Sequence, residues 1–179
     1  VPVMGLPALA WLREFAEVPI HGHRAGLACS MRSPALGQSY KVWQQLARLA
    51  GADHLHASGL GSKFYETDDE VAANVASLLE PLGDTLGPVP TLSSGQNVTT
   101  AAPTYAAVRS TDLLMLAGGG VAAHPDGPAA GVRSLREAWT AAIDGVPLQH
   151  AAQRAADTGD PALLHAVQKF ADRNSQGGD

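Results

Sequence analysis

Short apolar runs alternate along this chain with segments of helical periodicity. β-like runs start near Val18, Ala52, Pro88 and Asp112, and each is followed by apolar residues three or four positions apart. Repeated strand–helix units require right-handed crossovers and a parallel sheet. The pattern therefore predicts an α/β fold of about four strand–helix units, preceded by the end of a further strand at Val1–Met4.

The element boundaries follow from the same pattern. Strands are predicted over 18–23, 52–56, 88–93 and 112–116. Helices are predicted over 6–15, 38–49, 99–108, 148–156 and 161–171, with further helix starts at the capping-box pattern Thr67–Glu70 and near Gly127. Four units make half of an eight-fold barrel, although a doubly wound open sheet fits the periodicity as well. We expect a partial barrel over 1–146, a C-terminal helical extension over 147–173 and a disordered tail over 174–179.

Composition narrows the range of partners. The 179-residue chain has a formal net charge of −5, which argues against nucleic acid and anionic membranes. No apolar stretch reaches the ~18 residues that indicate a membrane span. Cys29 is the only cysteine, which excludes an intrachain disulfide and favours a reducing, cytoplasmic compartment. Because Val1 stands directly at a predicted element, we expect the chain to begin inside a longer one.

Polar residues collect where each predicted strand ends. In parallel α/β folds this edge of the sheet carries the ligand site. Four strand ends each supply part of one candidate site: His21, His23 and Arg24; His54, His56 and Lys63; Ser93, Ser94 and Gly95; Gly118 and Gly119.

Two neighbouring predicted strands end in His-x-His, at His21–His23 and at His54–His56. Alternation along a strand places both histidines of each pair on one face. Arg24 follows as a planar fork suited to phosphate. The imidazoles could bind an anion, ligate a metal ion such as Zn²⁺, or be hydrogen-bonded barrel residues. The repetition favours a polar site, but the spacing does not separate an anion from a metal.

Lys63 ends a loop that contains Gly59 and Gly61. Glycines allow such a loop to hinge over a ligand and to carry the ammonium with it. An isolated lysine is more often simply solvated, so the loop alone does not decide the role of Lys63.

Glycines also follow the last two predicted strands. The run Gly118-Gly119-Gly120 leaves amide groups free to point at phosphate oxygens. Ser93-Ser94-Gly95 could do the same or form a plain tight turn. In eight-fold barrels the loops after the last two strands are a frequent phosphate site.

Five motifs together resemble the barrel of the RuBisCO large subunit in order and spacing, from the first residues to about Phe170. They are Ile20-His-Gly-His-Arg-Ala-Gly26, Leu46-Ala-Arg-Leu-Ala-Gly-Ala-Asp-His-Leu-His56, the loop ending in Lys63, Leu92-Ser-Ser-Gly95, and Leu116-Ala-Gly-Gly-Gly120 followed by His124-Pro125. The resemblance implies the C-terminal half of a (β/α)8 barrel with additional C-terminal helices.

The resemblance also implies two phosphate positions. Arg24, His56 and Ser93 match residues that hold one substrate phosphate in that family. Backbone donors to the other phosphate are matched by Gly95, Gly118 and Gly119.

Two further positions match catalytic residues of the family. His23 matches a histidine that contacts the sugar backbone. Lys63 matches the lysine of a mobile loop that closes over the site and, in carboxylases, neutralises the newly formed carboxylate. Cations near an enediolate intermediate stabilise it electrostatically.

Three departures make the chain more similar to a RuBisCO-like protein than to a carbon-fixing enzyme. Leu27 stands where carboxylases usually carry another histidine, Ser94 replaces a glycine, and residues 57–62 lack the usual Thr-Val-Val run. The resemblance then implies an enzyme that acts by enolisation on a phosphorylated sugar or sugar acid. The overall reaction would be a carboxylation, a decarboxylation or an isomerisation.

The family binds Mg²⁺ through a carbamylated lysine and two acidic residues on an earlier strand. No Lys-x-Asp-Glu sequence occurs here, and Asp68–Glu70 is typical of a helix N-terminus. We therefore expect no metal ligands in this segment and Mg²⁺ ligands on a preceding part. In the intact homodimer, a partner subunit would contribute its N-terminal domain to the site. The 179-residue segment is predicted to be inactive by itself.

Two other functions fit parts of the sequence. A zinc-dependent barrel hydrolase could use His21, His23, His54 and His56 as ligands. A non-catalytic half-barrel could instead associate with a complementary half or with itself, because an incomplete barrel exposes strand edges and apolar faces.

Overall fold

The computed structural model describes residues 3–33, 35, 37–62 and 64–174, the last three by their backbone only. The chain forms two compact units. The first, here called the sheet unit, comprises Val1–Ser58, Phe64–Ser93 and Asp112–Met115. The second, the helical unit, comprises Gly59–Lys63, Ser94–Thr111 and Leu116–Asp179.

Four parallel strands in the order β1-β2-β3-β4 form the sheet. They are β1 (His21–Gly22), β2 (His54–Ser58), β3 (Val89–Ser93) and β4 (Leu114–Met115). The predicted α/β class with a parallel sheet is confirmed. Among the described residues β1 and β4 each pair on one side only, and this explains why they are shorter than predicted.

The strand end predicted at Val1–Met4 is wrong for Val3 and Met4, which lie in a turn. Val1 and Pro2 lie outside the described residues.

The helices of the sheet unit are α1 (Gly5–Arg13), α2 (Ala28–Met31), α3 (Tyr40–Leu49) and α4 (Asp68–Leu79). The predicted capping box at the start of α4 is present, with Thr67 and Glu70 serving each other's backbone N–H groups. The single turn α2 is too short to show a periodic pattern, so sequence analysis missed it.

Apolar residues of α1, α3, α4 and β2 share one core with residues of the connecting segments, and Met31 of α2 packs against it. It contains Leu9, Ile20, Leu27, Tyr40, Trp43, Ala47, Ala52, Leu55 and Leu78. Arg48 of α3 is 4% exposed and donates from all three guanidinium nitrogens to backbone carbonyls of Glu80, Thr85 and Leu86. Because those residues lead from α4 into β3, Arg48 fixes the path by which β3 enters the sheet.

The helical unit contains α5 (Val98–Val108), α6 (Gly118–Ala122), α7 (Pro128–Ile143), α8 (Leu148–Asp157) and α9 (Ala162–Asn174). Helices α5, α7, α8 and α9 bury a core that includes Val98, Ala138, Leu163 and Phe170. Sequence analysis placed a loop at the glycine run where α6 begins. Asn174, predicted to start a disordered tail, ends α9, and 175–179 lie outside the described residues.

None of the helices in the described part of the chain combines the length and the apolar character needed to cross a membrane.

Close packing of α7 on α6 yields a test of the helical unit. A Cβ atom on Gly131 would lie 2.5 Å from the backbone oxygen of Val121, so the two helices must separate to admit it. Alanine favours helices over glycine by ~1 kcal/mol, but forcing packed backbones apart costs about 1–3 kcal/mol. We expect Gly131→Ala to lower the free energy of unfolding, measured by urea denaturation. The control is Gly119→Ala in α6, where a Cβ would meet nothing within 4 Å; equal stability of both variants would contradict the packing argument.

Candidate functional site

Strands β1 and β2 bring their histidines together on one face of the sheet unit. The ring centroids of His21 and His56 lie 4.7 Å apart, those of His23 and His56 4.5 Å, and those of His21 and His54 5.7 Å. The paired register His21↔His54 produces this cluster, because side chains two positions apart point to the same face of a strand. The His-x-His pattern therefore indicated correctly that the histidines of the two strand ends lie close together.

The histidine rings meet edge to face or tilted, at interplanar angles of 75°, 88° and 58°. In the part of the chain that the structure describes, no three His, Cys, Asp or Glu side chains are grouped so that they could hold a metal ion. Within the described residues, the four histidines are therefore not arranged as the ligands of the hypothesised zinc site.

Burial and neighbouring basic groups lower the pKa of two histidines of this cluster, His21 and His56. Burial lowers the pKa of His56 to about 4, and His23, His21 and Arg24 add to the effect. The pKa of His21 is lowered too, mainly by burial and then by His54 and His23. At neutral pH, His56 is thus an uncharged imidazole with one donor and one acceptor nitrogen. Its Nδ1 shares a hydrogen bond of 3.2 Å with the hydroxyl of Ser93 at the end of β3.

Arg24, two residues beyond β1, is held by the four side chains of Glu66, Ser58, Tyr65 and Tyr40. Its Nη1 forms an ion pair with Glu66 Oε2 at 2.9 Å. Its Nη2 donates to the Tyr65 hydroxyl at 3.3 Å, and its guanidinium carbon lies 3.7 Å from the ring centre of Tyr40. Tyr40 in turn donates its hydroxyl proton to the backbone carbonyl of His56. Arg24 and His56 are therefore oriented by the same aromatic side chain.

Glu66 also belongs to the site, although sequence analysis did not predict it. Its side chain is 4% exposed, and it accepts hydrogen bonds from Ser58 at 2.7 Å and Asn74 at 3.1 Å in addition to its ion pair. These bonds occupy the carboxylate oxygens and fix the plane in which Arg24 is held. A single glutamate just before a helix cap has no periodic signal, so the sequence offered no means of finding Glu66, Tyr65 or Ser58.

Arg24, His56 and Ser93 line one cavity of about 270 Å³, together with His23, Ser58 and Tyr65. The structure thus brings together all three residues predicted for one phosphate position, and the predicted His23 beside them. A larger cavity of about 510 Å³ borders Lys41, Glu66 and Glu70. Two carboxylates against one ammonium make that cavity unsuited to an anion.

Leu27 explains one departure from the family pattern. Its side chain is 5% exposed and packs in the core of the sheet unit. Burial of an apolar side chain there stabilises the fold, so this position contributes to packing and leaves the histidine cluster as the polar part of the site.

The remaining predicted residues belong to the helical unit. Gly118 and Gly119 open α6 and are exposed. Ser94 and Gly95 both have positive φ, at 71° and 74°, and this conformation is unfavourable for a serine. Lys63 lies outside the described residues.

Comparison with known proteins places this geometry in a family. Residues 2–166 match the model of the ribulose bisphosphate carboxylase large chain, catalytic domain. The chain is 46% identical over 166 residues to the 3-oxo-isoapionate-4-phosphate transcarboxylase/hydrolase of Xanthobacter autotrophicus, covering 92% of this chain and 39% of that protein. It is 37% identical over 171 residues to the 3-oxo-isoapionate-4-phosphate decarboxylase of Rhizobium etli, covering 94% of this chain and 40% of that protein.

A solved structure supports the same grouping. The crystal structure of a rubisco-like protein from Burkholderia fungorum superposes with a TM-score of 0.88 at 42% identity, over 94% of this chain and 41% of that one. The chain thus spans about two fifths of the length of the relatives it matches. The predicted fold, part of the family's catalytic barrel, is confirmed. This chain belongs to the family of the ribulose bisphosphate carboxylase large chain, as part of the catalytic domain, and is more similar to its RuBisCO-like members than to carbon-fixing RuBisCO.

Proposed function

We propose that this chain is the phosphate-binding part of a RuBisCO-like enzyme that acts by enolisation on a phosphorylated sugar acid. The convergence of Arg24, His56 and Ser93 on one cavity of about 270 Å³ carries the proposal. Relatives at 46% and 37% identity that are named for 3-oxo-isoapionate-4-phosphate favour a 3-oxo sugar acid over a simple ketose.

Each of these three residues offers a different contact to a phosphate. The Arg24 guanidinium supplies charge-assisted N–H donors from a fixed plane. Uncharged His56 can donate one ring N–H, and Ser93 can donate its hydroxyl proton once an anion competes for it. Glu66 balances the charge of Arg24, because an unpaired, largely buried guanidinium would be costly. His23 lines the same cavity, and contact with the sugar backbone is its proposed role.

The chemistry we propose is the loss or transfer of the carboxylate of a 3-oxo acid. Cleavage of the bond between the carboxylate and the α carbon releases the carboxyl group as CO₂. The electron pair of that bond moves towards the 3-oxo group, which becomes an enolate, and the α carbon then takes up a proton. Lys63 is the proposed cation beside the departing carboxylate, by resemblance to the family. Gly95, Gly118 and Gly119 are the proposed backbone donors to a second anionic group.

Mg²⁺ is the cofactor proposed for the intact enzyme, where it would stabilise the enolate oxygen. The described residues include no group of ligands that fits such an ion, so we propose that its ligands lie outside them and assign no metal-dependent step to this segment. A homodimer, in which the partner subunit completes the site, is proposed for the intact enzyme on the same family grounds.

Replacement of Arg24 tests the phosphate site. We expect Arg24→Met to weaken binding of inorganic phosphate by at least about tenfold, because a charge-assisted bidentate contact is lost. Binding is measured by calorimetry or by NMR shifts of the His56 ring. Arg32→Met is the matched control, since Arg32 is exposed and follows α2 in the same unit. Equal affinity of the Arg24 variant and the native chain would contradict the assignment.

Acid should destabilise the fold, because His56 binds a proton more readily in the unfolded chain than in the folded one. The folded pKa of about 4 lies below the ordinary value of 6.5, so the unfolded state binds more protons between these values. The free energy of unfolding should therefore decrease as the pH falls from about 6.5 to about 4, and level off below that for this group. Urea denaturation across this range should show a shallower decrease for His56→Asn than for the native chain. His150→Asn, at an exposed position, serves as control and should retain the native pH dependence.

The segment itself should not turn over substrate. We expect no loss of carboxylate from 3-oxo-isoapionate 4-phosphate, and no product from a ketose bisphosphate, when either is incubated with the 179-residue chain and Mg²⁺. A full-length relative run in parallel shows that the assay works. Turnover by the chain alone would contradict the proposal that the metal ligands lie elsewhere.

A further inference from the structure

The cavity of about 270 Å³ is lined by two side chains of opposite formal charge. Of the described residues that line it, these are Arg24 and Glu66. Their ion pair is 2.9 Å long, and the two side chains are 13% and 4% exposed. His56, in the same lining, is an uncharged imidazole at neutral pH because burial lowers its pKa to about 4. An anion that binds here therefore meets a cation whose charge the protein already offsets.

The carboxylate of Glu66 is fixed close to this guanidinium. Arg24 Nη1 lies 3.1 Å from Glu66 Oε1 and 2.9 Å from Oε2. Asn74 Nδ2 donates to Oε1 at 3.1 Å, and Ser58 Oγ donates to Oε2 at 2.7 Å. Because each oxygen also accepts from a second side chain, the carboxylate is restrained from turning away from Arg24. Its negative charge stays near any anion that the arginine binds.

We propose that Glu66 determines the charge selectivity of this anion site: the site binds a singly charged tetrahedral oxyanion, such as the singly protonated form of a phosphate monoester, in preference to a doubly charged one. The second proton of a phosphate monoester dissociates with a pKa of about 6, so both forms are present near neutral pH. The inference rests on the proposed function, in which a phosphate binds at Arg24, and adds which ionisation state the site takes.

The hydrogen-bonding groups of the cavity also suit a singly charged ligand. A singly protonated phosphate presents one O–H donor in addition to its acceptor oxygens, whereas the dianion presents acceptors alone. Uncharged His56 has one donor and one acceptor nitrogen. The hydroxyl of Ser93, which shares a hydrogen bond of 3.2 Å with His56 Nδ1, can donate or accept. The proton of the monoanion thus has an acceptor in the site, and a dianion would leave that acceptor unused.

Coulomb's law sets the size of the effect. An oxyanion bonded to the far side of the Arg24 guanidinium would lie about 7–8 Å from the Glu66 carboxylate, a distance made up of two hydrogen bonds and the width of the guanidinium. At an effective dielectric constant of about 20, repulsion at that distance weakens binding by at least about tenfold for each unit charge of the ligand. A dianion incurs this factor twice and a monoanion once, so Glu66 changes the ratio of the two affinities.

Sulfate and methanesulfonate separate the charge of the ligand from its shape. Both are tetrahedral sulfur oxyanions and both are fully ionised near neutral pH, with two charges and one charge respectively. Their affinities for the 179-residue chain are measured at a single pH by NMR titration of the His56 ring resonances. His23, which also lines the cavity, then enters both titrations in the same state.

The native chain already tests the proposal without any substitution in Glu66. We expect the second charge of sulfate to bring no gain, so that methanesulfonate binds at least as tightly as sulfate. A site in which Arg24 acted alone would favour sulfate by about tenfold or more. Arg24→Met should abolish the response of the His56 ring to both anions, and this result locates the binding at the cavity.

Glu66→Gln removes the charge and retains the shape of the side chain. The amide oxygen in place of Oε1 accepts from Asn74, and the NH₂ group in place of Oε2 donates to Ser58. We expect sulfate to bind about a hundredfold more tightly and methanesulfonate about tenfold more tightly, which shifts their ratio about tenfold towards sulfate. Glu66→Asp keeps the charge on a shorter side chain, so it should retain the native ratio although its contacts are altered.

Glu80→Gln is the matched control for the change in net charge. Glu80 is exposed and follows α4 in the same unit. Its replacement removes one negative charge from the chain, as Glu66→Gln does, but far less of the surrounding structure depends on it. Both anions should bind to this variant with the native affinities.

Three results would overturn the role of Glu66: a native chain that binds sulfate about tenfold more tightly than methanesulfonate, equal factors for both anions in Glu66→Gln, or a ratio shifted as far in Glu66→Asp as in Glu66→Gln. In each case an anion still binds at Arg24, and the proposed phosphate site stands. If sulfate, methanesulfonate and inorganic phosphate all leave the His56 ring of the native chain unperturbed, or if Arg24→Met keeps the response, the proposed phosphate site itself fails and the inference fails with it.

Discussion

The largely buried ion pair between Arg24 and Glu66 is the interaction on which the candidate site depends. Burying two charges is unfavourable unless good geometry and further hydrogen bonds compensate. Here Ser58 and Asn74 donate to the carboxylate while Tyr65 and the Tyr40 ring contact the guanidinium. The pair thereby connects the ends of β1 and β2 to the starts of α3 and α4. An arginine held in this way presents its remaining donors in one fixed plane, as recognition of a planar or tetrahedral oxyanion requires.

The histidine cluster lines the cavity beside the charged Arg24 and supplies hydrogen-bonding groups to it. Because burial and neighbouring cations lower the pKa of His56 to about 4, it contributes donors and acceptors without adding to the repulsion around Arg24. The chain as a whole is acidic, with a formal net charge of −5. In the proposed function, affinity for an anion therefore arises from a few convergent groups in one cavity and not from the average surface potential.

In the helical unit, glycines allow neighbouring segments to approach each other closely near the proposed backbone donors Gly95, Gly118 and Gly119. Gly120 lies against Gln96, and Gly131 lies against Val121. In both cases backbone meets backbone, so the glycine is needed for contact and not for flexibility. Ser94 differs, since a serine there holds a positive φ. Such strain is tolerated where surrounding contacts hold the turn, and the Gln96 amide bonded to the Ser94 carbonyl is one of them.

Local periodicity was enough to determine much of this protein. The alternation of short apolar runs and helical segments predicted a parallel sheet, and the two-residue period placed His21 with His23 and His54 with His56 on one face. Those features depend on residues close in sequence, where chain geometry alone relates side chains. The lengths of β1 and β4, and the helices α2 and α6, were not predictable in this way, because pairing on one side and single turns leave little pattern.

Only the tertiary structure decided which residues complete the site. Arg24 and Glu66 are 42 positions apart, and Ser93 and His56 are 37 apart, separations at which no periodic signal relates two side chains. The burial of Leu27 in the core is likewise a result of packing. Sequence alone determined which strand ends carry polar groups, since that follows from local order. Which of those groups are paired, neutral or restrained was decided by contacts that form when distant segments pack together.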